Sequence, residues 1–297
     1  MTALSLVPNR EVSPQSGTPT RRTIYILAGT LVTATAIYSY RIASDPLATN
    51  EAYSALAAAR PRIGAIVAAP VLQDPGKQIL YYILLHCFTV VFGSSELALR
   101  VFSLLFALAT IVLVFSIARE LFDNDTALAA MALWAFCPVA IGFARMARVY
   151  SIFVAIALAH LLLLWRVRKR PSPLRVAMCA IAGAAMLYAH SAGLIIFAAE
   201  GAMLARDTVR GRSPLPACIA QVVSLVLFLP YVPIAMRQSQ SLLYGHWLDF
   251  LGPRYQLSPV EKSAIALIAG AAVAWLILSP SMERDSREPV RWIGTWA

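Results

Sequence analysis

The chain has 297 residues, of which 59% are hydrophobic and only 13% are charged, and its net charge is +10. Soluble domains are nearer half apolar and a quarter charged, so this composition excludes a soluble globular protein and indicates a polytopic α-helical membrane protein. The positive charge does not indicate a nucleic-acid partner, because the basic residues cluster between apolar runs and no nucleic-acid-binding motif accompanies them.

The N-terminal region, residues 1–22, is rich in Ser, Pro, Thr and Arg, which predicts a disordered cytoplasmic tail. Arg21-Arg22 before an apolar run resembles a twin-arginine export signal, but the many spans that follow favour an uncleaved first helix. The apolar pattern predicts an all-α transmembrane domain over 23–279 and a cytoplasmic tail over 280–297. About eight spans are expected, at 23–40, 98–118, 126–143, 149–164, 175–188, 193–204, 216–236 and 263–278.

The distribution of basic residues predicts the orientation of these spans. The densest basic cluster, residues 166–171, is assigned to the cytoplasm, and the spans that precede it then place the N-terminus in the cytoplasm as well. We find no internal repeat, which weakens a transporter or flippase interpretation.

The first outer loop, residues 41–97, is too polar and too often interrupted by Pro and Gly to cross as one helix. Its two short apolar pieces, about 51–59 and 78–92, are predicted to be helices lying on the membrane surface. The loop also collects carboxylates, a lysine, a histidine and tyrosines. Because ionisable groups at a membrane face are costly unless they are used or paired, we expect the chemistry here.

Several motifs of this loop and the following spans resemble membrane glycosyltransferases of the GT-C superfamily. Asn-Glu-Ala-Tyr-Ser at 50–54 resembles the family's Asp-Glu-Ala-Tyr-Ser, and the stretch at 80–86 resembles its Pro-Leu-Tyr-Tyr-Leu-Leu-Leu-His. Further matches follow in order at 92–103, at 147–150 and at 187–190. The nearest resemblance is to protein mannosyltransferases, aminoarabinose transferases of lipid A and rhizobial core-glycan transferases.

The resemblance covers about residues 24–236 and implies a reaction. A sugar carried on a polyprenyl phosphate is transferred, with inversion, to a lipid, glycan or protein acceptor at the outer face of a bacterial inner membrane. Such a transfer needs a general base for the acceptor, cations for the departing phosphate and an apolar groove for the polyprenyl tail.

The resemblance also assigns site residues. Glu51 is expected to be the general base, although a helix-capping role is the plain alternative. Arg145 and Arg148, three residues apart on one helical face, are expected to bind the donor phosphate, with anchoring to lipid headgroups as the alternative. The full set of residues expected to contact the substrates is Asn50, Lys77, Tyr82, Arg145, Arg148, Tyr150 and His190. His86 and His160 are expected to be structural, and Glu200 to pair with a neighbouring helix.

The chain departs from the family pattern at two positions. Asn50 replaces the leading acid, and an amide does not accept a proton at neutral pH, so Glu51, Asp45 or Asp74 must supply the base. Met146 replaces a glutamate of the family pattern. Relatives also continue beyond the length of this chain, so we interpret the chain as truncated. A catalytically inactive paralogue that binds a lipid-linked sugar or a partner transferase is therefore the main alternative.

No cofactor is implied by the resemblance, and a single acid in place of two argues against a strong divalent-metal site. The four cysteines form no Cys-x-x-Cys pair and predict neither a metal site nor a disulfide framework.

Overall fold

The computed structural model describes residues 20–73 and 79–237, and this part of the chain is helical without a β-strand. The predicted span at 263–278 and both predicted tails, apart from residues 20–22, lie outside it. The helices are α1 Arg21–Ser39, α2 Thr49–Ala58, α3 Ile63–Gln73, α4 Ile79–Phe92, α5 Glu96–Leu121, α6 Asn124–Ala135, α7 Pro138–Ala144, α8 Tyr150–Lys169, α9 Pro173–Ala189, α10 Gly193–Val209 and α11 Leu215–Phe228. A short 3₁₀ turn, Leu229–Tyr231, continues α11.

Three helices in the described ranges are long and apolar enough to cross a membrane: α5, α8 and the continuous stretch Leu215–Arg237. The bent pair of α6 and α7 makes a fourth if it is counted as one span. The all-helical membrane architecture agrees with the sequence, whereas the number of about eight spans stays a prediction.

The long helix α5 begins and ends as its terminal residues predict. Ser95 caps its N-terminus by accepting a hydrogen bond from the amide of Ala98 at 3.2 Å. Glu96 lies in the first turn and Arg119 in the last, where their charges complement the helix dipole. The helix lies at the centre of the bundle and packs against α1, α6, α7 and α8.

The predicted span at 126–143 corresponds to the bent pair of α6 and α7 and not to one continuous helix. The chain breaks between α6 and α7 and turns by 61°. Cys137 is extended because it precedes Pro138, which then starts α7 at a position that needs no amide hydrogen. Tyr38 donates a buried hydrogen bond of 2.7 Å to the carbonyl of Ala135, so α1 satisfies the backbone at the end of α6.

In the first loop, α2 and α4 agree with the two predicted short helices, but α3 was not predicted. The Pro and Gly residues of the loop favour interruptions, yet α3 runs through Pro70. Tyr81, Tyr82 and Leu85 of α4 pack on Leu99 and Phe102 of α5 in one apolar cluster. This cluster holds α4 against the bundle at the end where α5 and α8 begin, which we call the α2 end.

Candidate active site

Glu51 is the centre of a buried hydrogen-bonded junction at the α2 end. The residue is 3% exposed, and its side chain accepts four hydrogen bonds. Oε1 accepts from Nε of Arg100 at 3.0 Å and from the amide of Ala147 at 2.7 Å. Oε2 accepts from Nη2 of Arg100 at 2.8 Å and from the amide of Ala48 at 2.9 Å. The carboxylate therefore joins three separate parts of the chain.

Arg100 belongs to the motif at 92–103, but the sequence predicts no role for it. It is 5% exposed, and besides Glu51 it donates to backbone carbonyls of the chain that leads into α2. Nη1 reaches the oxygens of Ile42 and Asp45, each at 2.8 Å, and Nη2 reaches that of Pro46 at 3.2 Å. The available signal was an arginine one turn into an apolar helix, because a charge at such a position needs a partner.

The surroundings of Glu51 determine its charge. Burial by itself raises the pKa of the Glu51 carboxyl, but the hydrogen bonds from Arg100, Ala147 and Ala48 and the charge of Arg100 outweigh it. The net result is a pKa below the ordinary value, so Glu51 is ionised at neutral pH. The hydrogen bond with Ala48 is also the capping interaction that the sequence left open as an alternative.

Arg148 makes a second connection between α2 and the turn at 145–149, which joins α7 to α8. It is 5% exposed, and its Nη1 donates to the carbonyl of Asn50 at 2.6 Å and to Oγ of Ser54 at 3.3 Å. Asn50 itself is exposed at the start of α2. Arg145 lies in the same turn, where it caps α7, and is half-buried. The structure thus brings Asn50, Glu51 and Arg148 together, with Arg145 nearby in the chain.

Tyr150 and His190 lie next to each other beyond this turn. The ring of Tyr150 stacks on Phe143 at 4.9 Å between centroids and lies 6.4 Å from the ring of His190. His190 accepts a hydrogen bond from the amide of Ala192 on Nδ1 at 3.0 Å. Since Nδ1 is an acceptor here, this arrangement corresponds to the neutral imidazole with its proton on Nε2.

Two other residues singled out in the sequence, Tyr82 and His86, lie on α4. Tyr82 is 1% exposed in the α4 cluster, so it contacts a substrate only if α4 moves. His86 holds the carbonyl of Ala58 at 2.7 Å from Nδ1, a structural contact between α4 and α2 as expected. Lys77 falls outside the described residues, as does Asp74.

Within the described ranges, no group of three His, Cys, Asp or Glu side chains is placed to hold a metal ion. All four cysteines are free thiols.

Comparison with known proteins adds one finding. A family model described as dolichyl-phosphate-mannose-protein mannosyltransferase matches residues 76–234, more than half of the chain. The match includes Arg100, Arg145, Arg148 and His190, whereas Asn50 and Glu51 precede it. No curated protein and no solved structure matches the chain.

Proposed function

Because this chain belongs to the dolichyl-phosphate-mannose-protein mannosyltransferase family, we propose that it transfers a sugar from a polyprenyl-phosphate donor to a lipid, glycan or protein acceptor. The family and the apolar helices make it a multi-pass membrane glycosyltransferase. The family match is the observation that carries the proposal. The buried junction at the α2 end supports placing the reaction site there.

We place the reaction at the outer face of a bacterial inner membrane. The basic residues at the ends of α8 and α10 lie at the end of the bundle opposite Glu51. There Arg166 pairs with Glu120 at the end of α5, at 2.6 Å, and Arg168 pairs with Asp207 of α10. By the positive-inside rule this basic end supports a cytoplasmic assignment, with the α2 end outside and the N-terminus inside.

In the proposed reaction, the cations of the 145–149 turn bind the donor phosphate. Arg148 is fixed beside α2 by its bonds to Asn50 and Ser54, so its charge is preorganised. We assign Arg145 and His190 as further donors to the phosphate, together with Lys77, which lies outside the described residues. As the sugar–phosphate bond breaks, negative charge grows on the phosphate, and these groups stabilise it. The acceptor oxygen attacks from the opposite face, which inverts the anomeric centre.

The base needs a carboxylate that an acceptor can reach. In the observed geometry the four lone-pair positions of Glu51 are used, so we assign it a positioning role; a role as base requires its pair with Arg100 to open. Asp45 has an exposed side chain, and its carbonyl is held by Arg100 just before α2. We assign the general base to Asp45.

The alternative, an inactive paralogue that binds the donor without transferring it, is favoured by Asn50. It is exposed at the start of α2, at the position where the family pattern has an acid. Its amide oxygen cannot take a proton from the acceptor, although its backbone carbonyl still positions Arg148.

These roles are separated by comparing four purified proteins: wild type, Asp45→Asn, Glu51→Gln and Asn50→Asp. Each is given a panel of polyprenyl-phosphate sugars and a membrane-lipid extract. Donor binding, sugar transfer and thermal stability are measured for each. Loss of the base in Asp45→Asn should reduce kcat by about 10²–10⁴-fold with donor binding and Tm unchanged. Glu51→Gln should lower Tm as well as transfer.

Other outcomes have distinct meanings. Full activity in Asp45→Asn, with transfer lost but Tm kept in Glu51→Gln, would identify Glu51 as the base. Donor binding without transfer in wild type, together with transfer by Asn50→Asp, would establish the inactive paralogue. Absence of donor binding in every protein would refute the proposed function.

A further inference from the structure

A second buried polar cluster lies away from the α2 end, between four helices. His160 of α8 is fully buried and Glu200 of α10 is 4% exposed. Nε2 of His160 lies 3.0 Å from Oε2 of Glu200, and Gln221 of α11 donates to the same oxygen from Nε2 at 3.2 Å. On the other side of the ring, Nδ1 lies 3.0 Å from the carbonyl oxygen of Cys179 in α9. The pairing expected for Glu200 is therefore present, with His160 as its partner.

The geometry fixes how many protons the pair contains. A carbonyl oxygen only accepts, so Nδ1 of His160 must carry a proton to bond with Cys179. The contact between Nε2 and Oε2 then needs one further proton, either on the imidazole or on the carboxyl group. In both arrangements the pair is neutral overall and holds one proton between its two members.

We propose that His160 and Glu200 form a proton-binding site inside the membrane domain, and that the single proton they share holds α10 against α8. Glu200 is otherwise poorly satisfied, because its Oε1 is buried and has no hydrogen-bond partner. A buried carboxylate with a bare oxygen is costly, and sharing the imidazole proton removes most of that cost. This proton is the ligand of the site.

Gly183 of α9 leaves the space that the imidazole ring of His160 occupies. A Cβ atom on Gly183 of α9 would lie 2.9 Å from Cε1 of His160 and 2.5 Å from Oγ of Ser224. Only glycine at this position lets the ring approach the α9 backbone. Ser224 is itself held in place by hydrogen bonds to the carbonyls of Ala180 and Ala220, at 3.0 and 2.9 Å.

Loss of the proton reverses the interaction. A neutral imidazole whose Nδ1 remains protonated would direct the Nε2 lone pair at a carboxylate 3.0 Å away. Two acceptors then face each other in a medium without water, and α10 keeps only the Arg168–Asp207 pair at its far end as a polar attachment to α8 in the described ranges. Among the described residues, the other titratable group in contact with the His160 ring is the thiol of Cys179, at 3.8 Å from Nδ1. The ring of Phe197 stacks on the His160 ring, with 6.3 Å between their centroids.

The proposal is tested by the pH dependence of unfolding in detergent. Glu200→Gln is a matched variant, because an amide N–H can donate to the Nε2 lone pair and no shared proton is needed. Above neutral pH, the Tm of wild type should fall more steeply than that of Glu200→Gln, and Cys179→Ala should behave like wild type. Parallel profiles for wild type and Glu200→Gln would overturn the proposal.

A second measurement observes the His160–Glu200 pair directly in the wild-type protein. The chain has four histidines, so nitrogen NMR of ¹⁵N-histidine-labelled protein resolves few rings, and His160→Gln identifies the signal by its loss. At pH 8 the ring of His160 should show a protonated Nδ1 and an Nε2 that shares a proton with a carboxyl group. An ordinary neutral ring with a bare Nε2 would also overturn the proposal.

Discussion

Replacing Glu51 by Gln tests whether the junction at the α2 end holds the first loop on the bundle. The substitution keeps the shape of the side chain but removes the charge that compensates buried Arg100. In either orientation of the new amide, its NH₂ group also faces two of the four donors. If it occupies the Oε2 position, it faces the amide of Ala48 at 2.9 Å and Nη2 of Arg100 at 2.8 Å, both of which are donors.

The magnitude follows from burial. The side chains of Arg100 and Glu51 are 6% and 4% exposed, and removing one partner of a buried ion pair costs about 3–5 kcal/mol. The pair of Arg166 and Glu120 is the matched control, because these side chains are 44% and 31% exposed. An exposed pair contributes roughly 0–1 kcal/mol, so Glu120→Gln should be nearly silent.

Thermal unfolding in detergent measures both variants. At about 2–4 °C per kcal/mol, Glu51→Gln should lower Tm by roughly 6–20 °C and Glu120→Gln by no more than about 4 °C. Equal small shifts in the two variants would refute the inference that Glu51 is a structural centre. Arg100→Lys should reproduce most of the loss, because a single ammonium cannot replace the fork that reaches three carbonyls.

Two further outcomes are expected from the same junction and from the α6–α7 break. The folded pKa of Glu51 is below its ordinary value of 4.5, so its stabilising effect is present above that value and is lost as the pH falls through the folded pKa. The Tm difference between wild type and Glu51→Gln should therefore shrink below about pH 4.5, and a constant difference down to pH 3 would contradict this account. Tyr38→Phe leaves the carbonyl of Ala135 buried without its donor and should cost about 1–3 kcal/mol in chemical unfolding, whereas Tyr25→Phe, at a side chain 72% exposed, should have no effect.

The sequence predicts much of the helical architecture because lipid requires long apolar runs. The runs at α5 and α8 are uninterrupted, and the structure has helices there. The run at 126–143 is equally apolar, but its proline marks either a kink or a new helix. The structure has a new helix there, α7, at 61° to α6, and Tyr38 bonds to the carbonyl at the end of α6.

Only part of the geometry at the α2 end follows from the sequence. The motif at 50–54 located the residues that meet at the α2 end, because a short polar stretch beside a span is conspicuous. The partners of Glu51 were not predicted, since they lie 49 and 96 positions further along the chain and meet it only through packing. For the same reason the sequence suggested a base at Glu51, whereas the four donors around its carboxylate led us to propose a positioning role.

These long sequence separations have a consequence for how the protein is made. Glu51 leaves the ribosome well before Arg100, and the amide of Ala147 follows only after α5, α6 and α7 have been synthesised. Until Arg100 is in place the charge of Glu51 has no buried partner, and until residue 147 is made one of its four donors is missing, so we expect α2 to remain hydrated during this time. Its docking is thus a late step of biogenesis, set by the insertion of α8, and a chain arrested before residue 147 should leave the first loop open to protease.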